Sequence, residues 1–211
     1  MGVTVDELMV ADSAAAWEAC GFEVEGEVCV VGDTRIRFVG DERGRGIVEW
    51  SLRDLFSLDL EGLATSRSDR PPPGDGPPHP NGVSALDHVV AISSDLDRTV
   101  GALVAAGLDL RRIREEPTPA GAPRQAFFRL GSTILEVVQE PPEATERAGG
   151  DRPTFFWGLA FVAPDLERTV SFLGEDRVSE TREAVQPGRR IATLRRRAGL
   201  SLPVALMSPR L

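Results

Sequence analysis

Hydrophobic and polar positions along the chain predict a module of strand, helix, strand, strand, strand between Leu86 and Gln139. The opening run LDHVVAIS is apolar at nearly every position but for a histidine, and the closing run STILEVVQE is interrupted by one glutamate. Between them SSDLDRTVGALVAAG reads as a helix: Ser94 or Asp95 caps it, Leu96, Val100, Leu103 and Val104 form its apolar stripe, and Gly107 stops it. RRIREEP and RQAFFRLG read as two shorter strands joined by the loop PTPAGAP. A strand apolar on both alternating faces is covered on both sides. His88 and Glu136 therefore point into covered layers. On the two-residue period Leu86, His88, Val90 and Ile92 share one face, as do Ile134, Glu136 and Val138. A carboxylate so placed must be paired, protonated or metal-bound, because an isolated buried charge costs several kcal/mol or more.

The pattern then returns. DLDRTV at 95–100 matches DLERTV at 165–170 with an offset of 70, and Gly131 and Pro141 match Gly199 and Pro209 with an offset of 68. Such self-similarity is an internal repeat. A fainter third copy is predicted near the start, where CVVGDTRIRFVG laid on FFRLGSTILEVVQ aligns Gly32 with Gly131, an offset of 99. Its helix SAAAWEACG is short, with Asp12 and Ser13 at its cap and Gly21 as its stop, and LRDLFSLDLEGL after Trp50 reads as an apolar, helical connector. The predicted division is a degenerate module at 1–65, a proline-rich linker at 66–83, well-formed modules at 84–141 and 153–211, and a second linker at 142–152. Six prolines between 66 and 82 predict a mobile, extended connection, with His79 as a solvated linker residue.

Composition narrows the function. A net charge of −9 over 211 residues argues against a nucleic-acid partner and fits cationic or neutral small ligands. Cys20 and Cys29 lack zinc or disulfide spacing and read as reduced, buried thiols. The start MGVTVDELMVADS has neither a basic nor an apolar leader region, so a soluble, cytoplasmic protein without a membrane partner is expected.

The text LDHVVAISSDLDRTVGALVAAGLDL, followed by RQAFFRLGSTILEVVQ and, in the second copy, GLAFVAPDLERTV with GRRIATL, resembles the vicinal oxygen chelate superfamily, the glyoxalase-like proteins. The resemblance covers residues 84 to 209. It implies an α+β fold in which tandem βαβββ modules pair into a cupped barrel, here with an N-terminal degenerate module. It also implies a divalent metal held by a histidine and a carboxylate from the first and last strands of each module, with substrate oxygens chelating the metal. His88 and Glu136 match those ligand positions, and the same two residues are the candidates for catalysis.

The second copy departs from that set, since the offsets place Gly158 opposite His88 and Val204 opposite Glu136, and the N-terminal copy offers Arg37. The ligand set for a divalent metal is thus incomplete, and no other cofactor is indicated. Either a homodimer completes a His2Glu2 set, or adjacent copies pair within one chain and leave a metal only two side chains; the second is the expectation. Arg124, Gln125 and Arg129 in RQAFFR, with Arg189 and Arg190 in GRR, are candidates to meet a substrate's carboxylate or carbonyl. Trp157, aligned with Asp87, is the candidate pocket wall. Two functions follow: an enzyme of the lyase, isomerase or dioxygenase kind acting on a substrate with vicinal oxygens, or a metal-free protein that binds or sequesters a hydrophobic or cationic small molecule.

Overall fold

The computed structural model describes residues 2–74, 76–118 and 121–210. The centre of the predicted PTPAGAP loop, 119–120, lies outside them. Strand β1 (Thr4–Val10), helix α1 (Ala14–Glu18) and strands β2 (Val28–Val31), β3 (Thr34–Phe38), β4 (Ile47–Arg53) and β5 (Thr65–Arg67) build a five-stranded sheet in the order β2-β3-β1-β4-β5. The module foreseen at 84–141 comprises β6 (Ala85–Ser93), α2 (Leu96–Ala105), β7 (Asp109–Arg114), β8 (Gln125–Leu130) and β9 (Thr133–Gln139). A short helix α3 (Pro142–Arg147) leads to the second copy, which comprises β10 (Phe155–Val162), α4 (Leu166–Leu173), β11 (Arg182–Glu183), β12 (Arg190–Thr193) and β13 (Val204–Met207). These two copies form one eight-stranded sheet in the order β11-β12-β13-β10-β6-β9-β8-β7.

Each module folds by the same rule. Its first strand lies parallel to its last, as β6 to β9 and β10 to β13, and the two copies join where β6 and β10 run antiparallel. Because a parallel return needs a crossover, the helix is obligatory. Asp95 and Asp165 start α2 and α4 alike, each carboxylate accepting the backbone N–H three residues on at 3.0 Å. In the N-terminal sheet β1 is parallel to β3 and antiparallel to β4, while β4 is parallel to β5. Strands β2, β3, β1, β4 and β5 thus repeat the inner five of the larger sheet in order and direction, so β4 and β5 add a trimmed fourth copy to the third one read from the sequence.

The two sheets share a core. Leu8, Ile36 and Trp50 from the smaller sheet and Val89, Val137 and Phe161 from the larger are fully buried in one cluster. Trp17 of α1 meets Phe161 edge-on at 6.1 Å between ring centroids, and Trp50 meets Phe156 at 5.1 Å. The polar faces of both sheets are those opposite this core. Cys20 and Cys29 are buried free thiols, and burial pushes Cys29 up to about 12, out of reach of nucleophilic use.

Several local expectations are corrected. LRDLFSLDLEGL is not helical: β4 continues through Arg53, Asp54 and Glu61 adopt left-handed backbone with φ of 60° and 57°, and Leu55, Leu60 and Leu63 are buried at irregular spacing. Val104 lies off the buried stripe of α2, where Leu96, Thr99 and Leu103 face the core.

The proline-rich segment is extended but docked. Ser68 donates to Asp6 at 2.6 Å, the Arg70 guanidinium approaches Asp6 and Glu7 at 2.6 and 3.3 Å, and the Pro71 carbonyl accepts from Arg35 at 3.3 Å. His79 is buried rather than solvated: its Nδ1 accepts the Glu23 N–H at 3.0 Å, the ring also hydrogen-bonds the Val30 backbone, and it packs on Phe22. Burial holds its pKa below the ordinary 6.5, against the pull of Val30 and Glu23. The unfolded chain therefore binds more protons at mildly acid pH, and stability must fall as pH drops below that value. We expect a lower urea midpoint at about pH 5.5 than at about pH 7.5, a difference that His79→Gln reduces; an unchanged difference in the variant would assign the effect elsewhere.

Candidate functional site

Four strands at the sheet centres carry the same irregularity. An extra residue interrupts the pairing at Asp87 in β6 and Trp157 in β10, where Leu86 and His88 face Phe161 and Ala160, and Phe156 and Gly158 face Ala91 and Val90. Corresponding bulges fall at Asp6 in β1 and Val48 in β4. A bulge lets two successive side chains leave one face. Asp87 and His88 therefore emerge together on the concave face, and Leu86, placed there by simple alternation, turns into the core at 2% exposure.

The bulges fix which residues are equivalent. Glu136 pairs in register with Val90, two residues beyond His88; its counterpart is Ala205, which pairs with Ala160, two residues beyond Gly158. This corrects the sequence alignment by one position, since Val204 belongs to the core face. In the N-terminal sheet the counterparts are Glu7 and Arg37, as Arg37 pairs with Met9. There the two form a bidentate ion pair at 3.1 and 3.0 Å. Arg35, Arg53 and Arg70 converge on Asp6 beside it, which fills that concave face.

In the larger sheet the same face is open. His88 Nδ1 lies 2.8 Å from Asp87 Oδ2, and His88 Nε2 lies 3.7 Å from Glu136 Oε2. Asp87 is also gripped by Arg189, at 2.9 and 3.2 Å, and both side chains are almost wholly buried. Arg189 donates further to the Ser208 carbonyl at 2.8 Å and to Gln186 at 2.7 Å. Burial alone would raise the Asp87 pKa, but hydrogen bonds and charge from His88 and Arg189 together hold it well below the carboxylate range. Glu136 behaves oppositely: burial raises its pKa, outweighing the nearby His88 and the hydrogen bond donated by Gln125 Nε2. Gln125 Oε1 is buried and has no hydrogen-bond partner among the described residues.

His88, Gln125 and Glu136 floor a cavity of about 1290 Å³ walled by Val90, Ile92, Phe127, Val138 and Trp157. Of the residues singled out in the sequence, His88, Gln125, Glu136 and Trp157 line it. Arg124 and Arg129 do not: Arg124 is held by Glu115 and Asp97 at 2.7 and 3.0 Å, and Arg129 reaches the Gly131 carbonyl. Arg190 pairs with Glu167 on the surface, whereas Arg189 is the buried partner of Asp87. Sequence reading passed over Asp87, Arg112 and Arg210. A second polar residue beside His88 in an apolar run was the available signal for Asp87.

The donors do not fit a resident divalent metal. His88 spends Nδ1 on Asp87, so His88 Nε2 and Glu136 are the two groups offered, and stable sites commonly take three or more protein ligands. Ala205 has no donor. A Cβ built on Gly158 would lie 2.6 Å from the Pro203 carbonyl, so no histidine fits there without displacing the entry to β13. Among the described residues no group of three or more His, Cys, Asp or Glu side chains is placed to hold a metal.

No family model and no curated protein matches the chain. Solved structures do. Methylmalonyl-CoA epimerase from Mycobacterium tuberculosis superposes with a TM-score of 0.50 at 18% identity, over 62% of this chain and 91% of that one. A xylose isomerase-like TIM barrel/4-hydroxyphenylpyruvate dioxygenase fusion protein superposes with a TM-score of 0.60 at 12% identity, over 97% of this chain. The chain spans 49% of that fusion protein, and the match takes in the N-terminal sheet. Among the described residues no helix is long and apolar enough to cross a membrane. Paired βαβββ modules, a cupped eight-stranded sheet and these structural relatives together give the protein the glyoxalase-like fold of the vicinal oxygen chelate superfamily.

Proposed function

We propose that the protein binds a small organic molecule in the concave cavity of its eight-stranded sheet, without a resident metal, and that His88 and Glu136 form the polar floor. The observation that carries this reading is the pairing of a buried carboxyl of raised pKa with one oriented imidazole at 3.7 Å. Asp87, kept ionised, accepts the Nδ1–H of His88 and turns Nε2 towards Glu136; in the neutral imidazole Nε2 is then the acceptor. Burial shifts Glu136 towards its neutral form, in which the carboxyl is a donor. A donor and an acceptor this close complement a ligand with a carbonyl next to a hydroxyl, and apolar walls supply the contact area.

A second reading is favoured by the Asp87–His88 contact, which orients the imidazole as a general base is oriented. The pair would then move a proton at carbon next to a carbonyl, Nε2 removing it while the Glu136 O–H supports the oxygen. Binding of methylmalonyl-CoA and 4-hydroxyphenylpyruvate, taken from the names of the structural relatives, tests both readings. His88→Ala should weaken binding about tenfold or more, and chelator should leave it unchanged. Near-stoichiometric metal in the purified protein, removed by His88→Ala or Glu136→Ala, would sink the metal-free reading. Deuterium uptake by a bound probe in D2O, lost in His88→Ala, would favour the enzyme.

A further inference from the structure

We infer that the ligand of the concave cavity is an anion whose carboxylate docks between Arg112 and Arg210. The inference rests on the small-molecule reading and names its ligand class. At one end the cavity adjoins a pocket of about 400 Å³ that shares His88, Arg112, Phe127 and Glu136 with it and is lined by four arginines, Arg111, Arg112, Arg189 and Arg210, with Glu136 as the one acid of that lining. Two of the four are already engaged, Arg189 by Asp87 at 2.9 Å and Arg111 by Asp109 at 3.2 Å. Arg112 lies over the Phe127 ring, 5.1 Å from its centroid, rather than against a carboxylate. The acid beside Arg210 is Asp87, 3.8 Å away and held by Arg189.

The rest of the cavity lining is closer to balance, with Arg182 as its one further arginine without a carboxylate partner among the described residues. Its acids Glu115, Glu116 and Glu140 each hold an arginine, Arg124 at 2.7 Å, Arg114 at 3.6 Å and Arg152 at 2.6 Å. In a chain of net charge −9, positive charge is thus left over at the end where the floor is polar and the wall is aromatic. Two planar forks match a planar carboxylate, and stacking on Phe127 orders one of them before the ligand arrives. The apolar body of the ligand then lies along Phe127 and Trp157.

The test uses three molecules of one shape and different charge, 3-phenylpropanoate, 3-phenylpropanamide and 3-phenylpropylammonium, titrated into the full chain by calorimetry and tryptophan fluorescence. The propanoate should bind about tenfold or more tighter than the other two, and the double variant Arg112→Gln/Arg210→Gln should remove that advantage, bringing propanoate and amide to the same affinity. Both arginines are exposed, so the variant should fold. Equal or tighter binding of the ammonium or the amide, or a propanoate affinity indifferent to the double variant, overturns the anion inference and leaves the small-molecule reading standing. Binding of none of the three overturns both.

Discussion

Asp87→Ala is expected to destabilise the protein by about 3–5 kcal/mol, because it leaves the Arg189 guanidinium buried without its counter-charge. Arg189 is 3% exposed at its side chain, and its hydrogen bonds to the Ser208 carbonyl and to Gln186 hold it beside the vacated carboxylate position. Urea unfolding followed by tryptophan fluorescence gives the number. The double variant Asp87→Leu/Arg189→Met should recover most of the loss, since removing both charges also removes the desolvation they cost. If the double variant is as unstable as the single one, packing at the bulge and not the stranded charge is responsible. The sign of the pH effect follows from the lowered Asp87 pKa: the contribution is present above the ordinary value of 3.8 and is lost as acid protonates the folded carboxyl.

Trp17→Ala should cost a similar amount, about 3–5 kcal/mol, for a different reason. The side chain is fully buried, donates its indole N–H to Asp12 at 3.0 Å and touches Phe22 and Phe38 on its own side and Phe161 across the boundary between the sheets. Truncation opens a cavity at the place where the two sheets share their core. One cooperative transition moving as a whole is therefore expected. Two resolved transitions, with one unmoved by the variant, would show that the sheets unfold independently. Asp12 keeps the Ser201 N–H at 3.0 Å, so the loss reports packing more than a stranded acceptor.

By itself the sequence determined the repeat, the βαβββ order of the two copies, the helix start at Ser94 or Asp95, and the placing of His88 and Glu136 in covered layers. Those features are local, because hydrophobic period records which side of a strand or helix leaves water, and a cap is decided within four residues. Ligand counting was also legible, since Gly158 lacks a donor whatever the register. What only the tertiary structure decided depends on partners far along the chain. The bulge at Asp87 moves Leu86 to the core, and the parallel register of β13 on β10 makes Ala205 rather than Val204 the counterpart of Glu136; both arise from pairing with a neighbouring strand. Arg189 reaches Asp87 across 102 residues, a partnership that no spacing encodes. Proline content predicted a segment without ladder hydrogen bonds, yet carboxylates at Asp6 and Glu7 and a neutral pocket for His79 hold it in place. Composition fitted cationic or neutral ligands alike, because it averages charge over the whole surface. Folding separates the charges, pairing the acids at one end of the cavity and leaving at the other Arg112 on the Phe127 ring and Arg210 beside an Asp87 already held by Arg189.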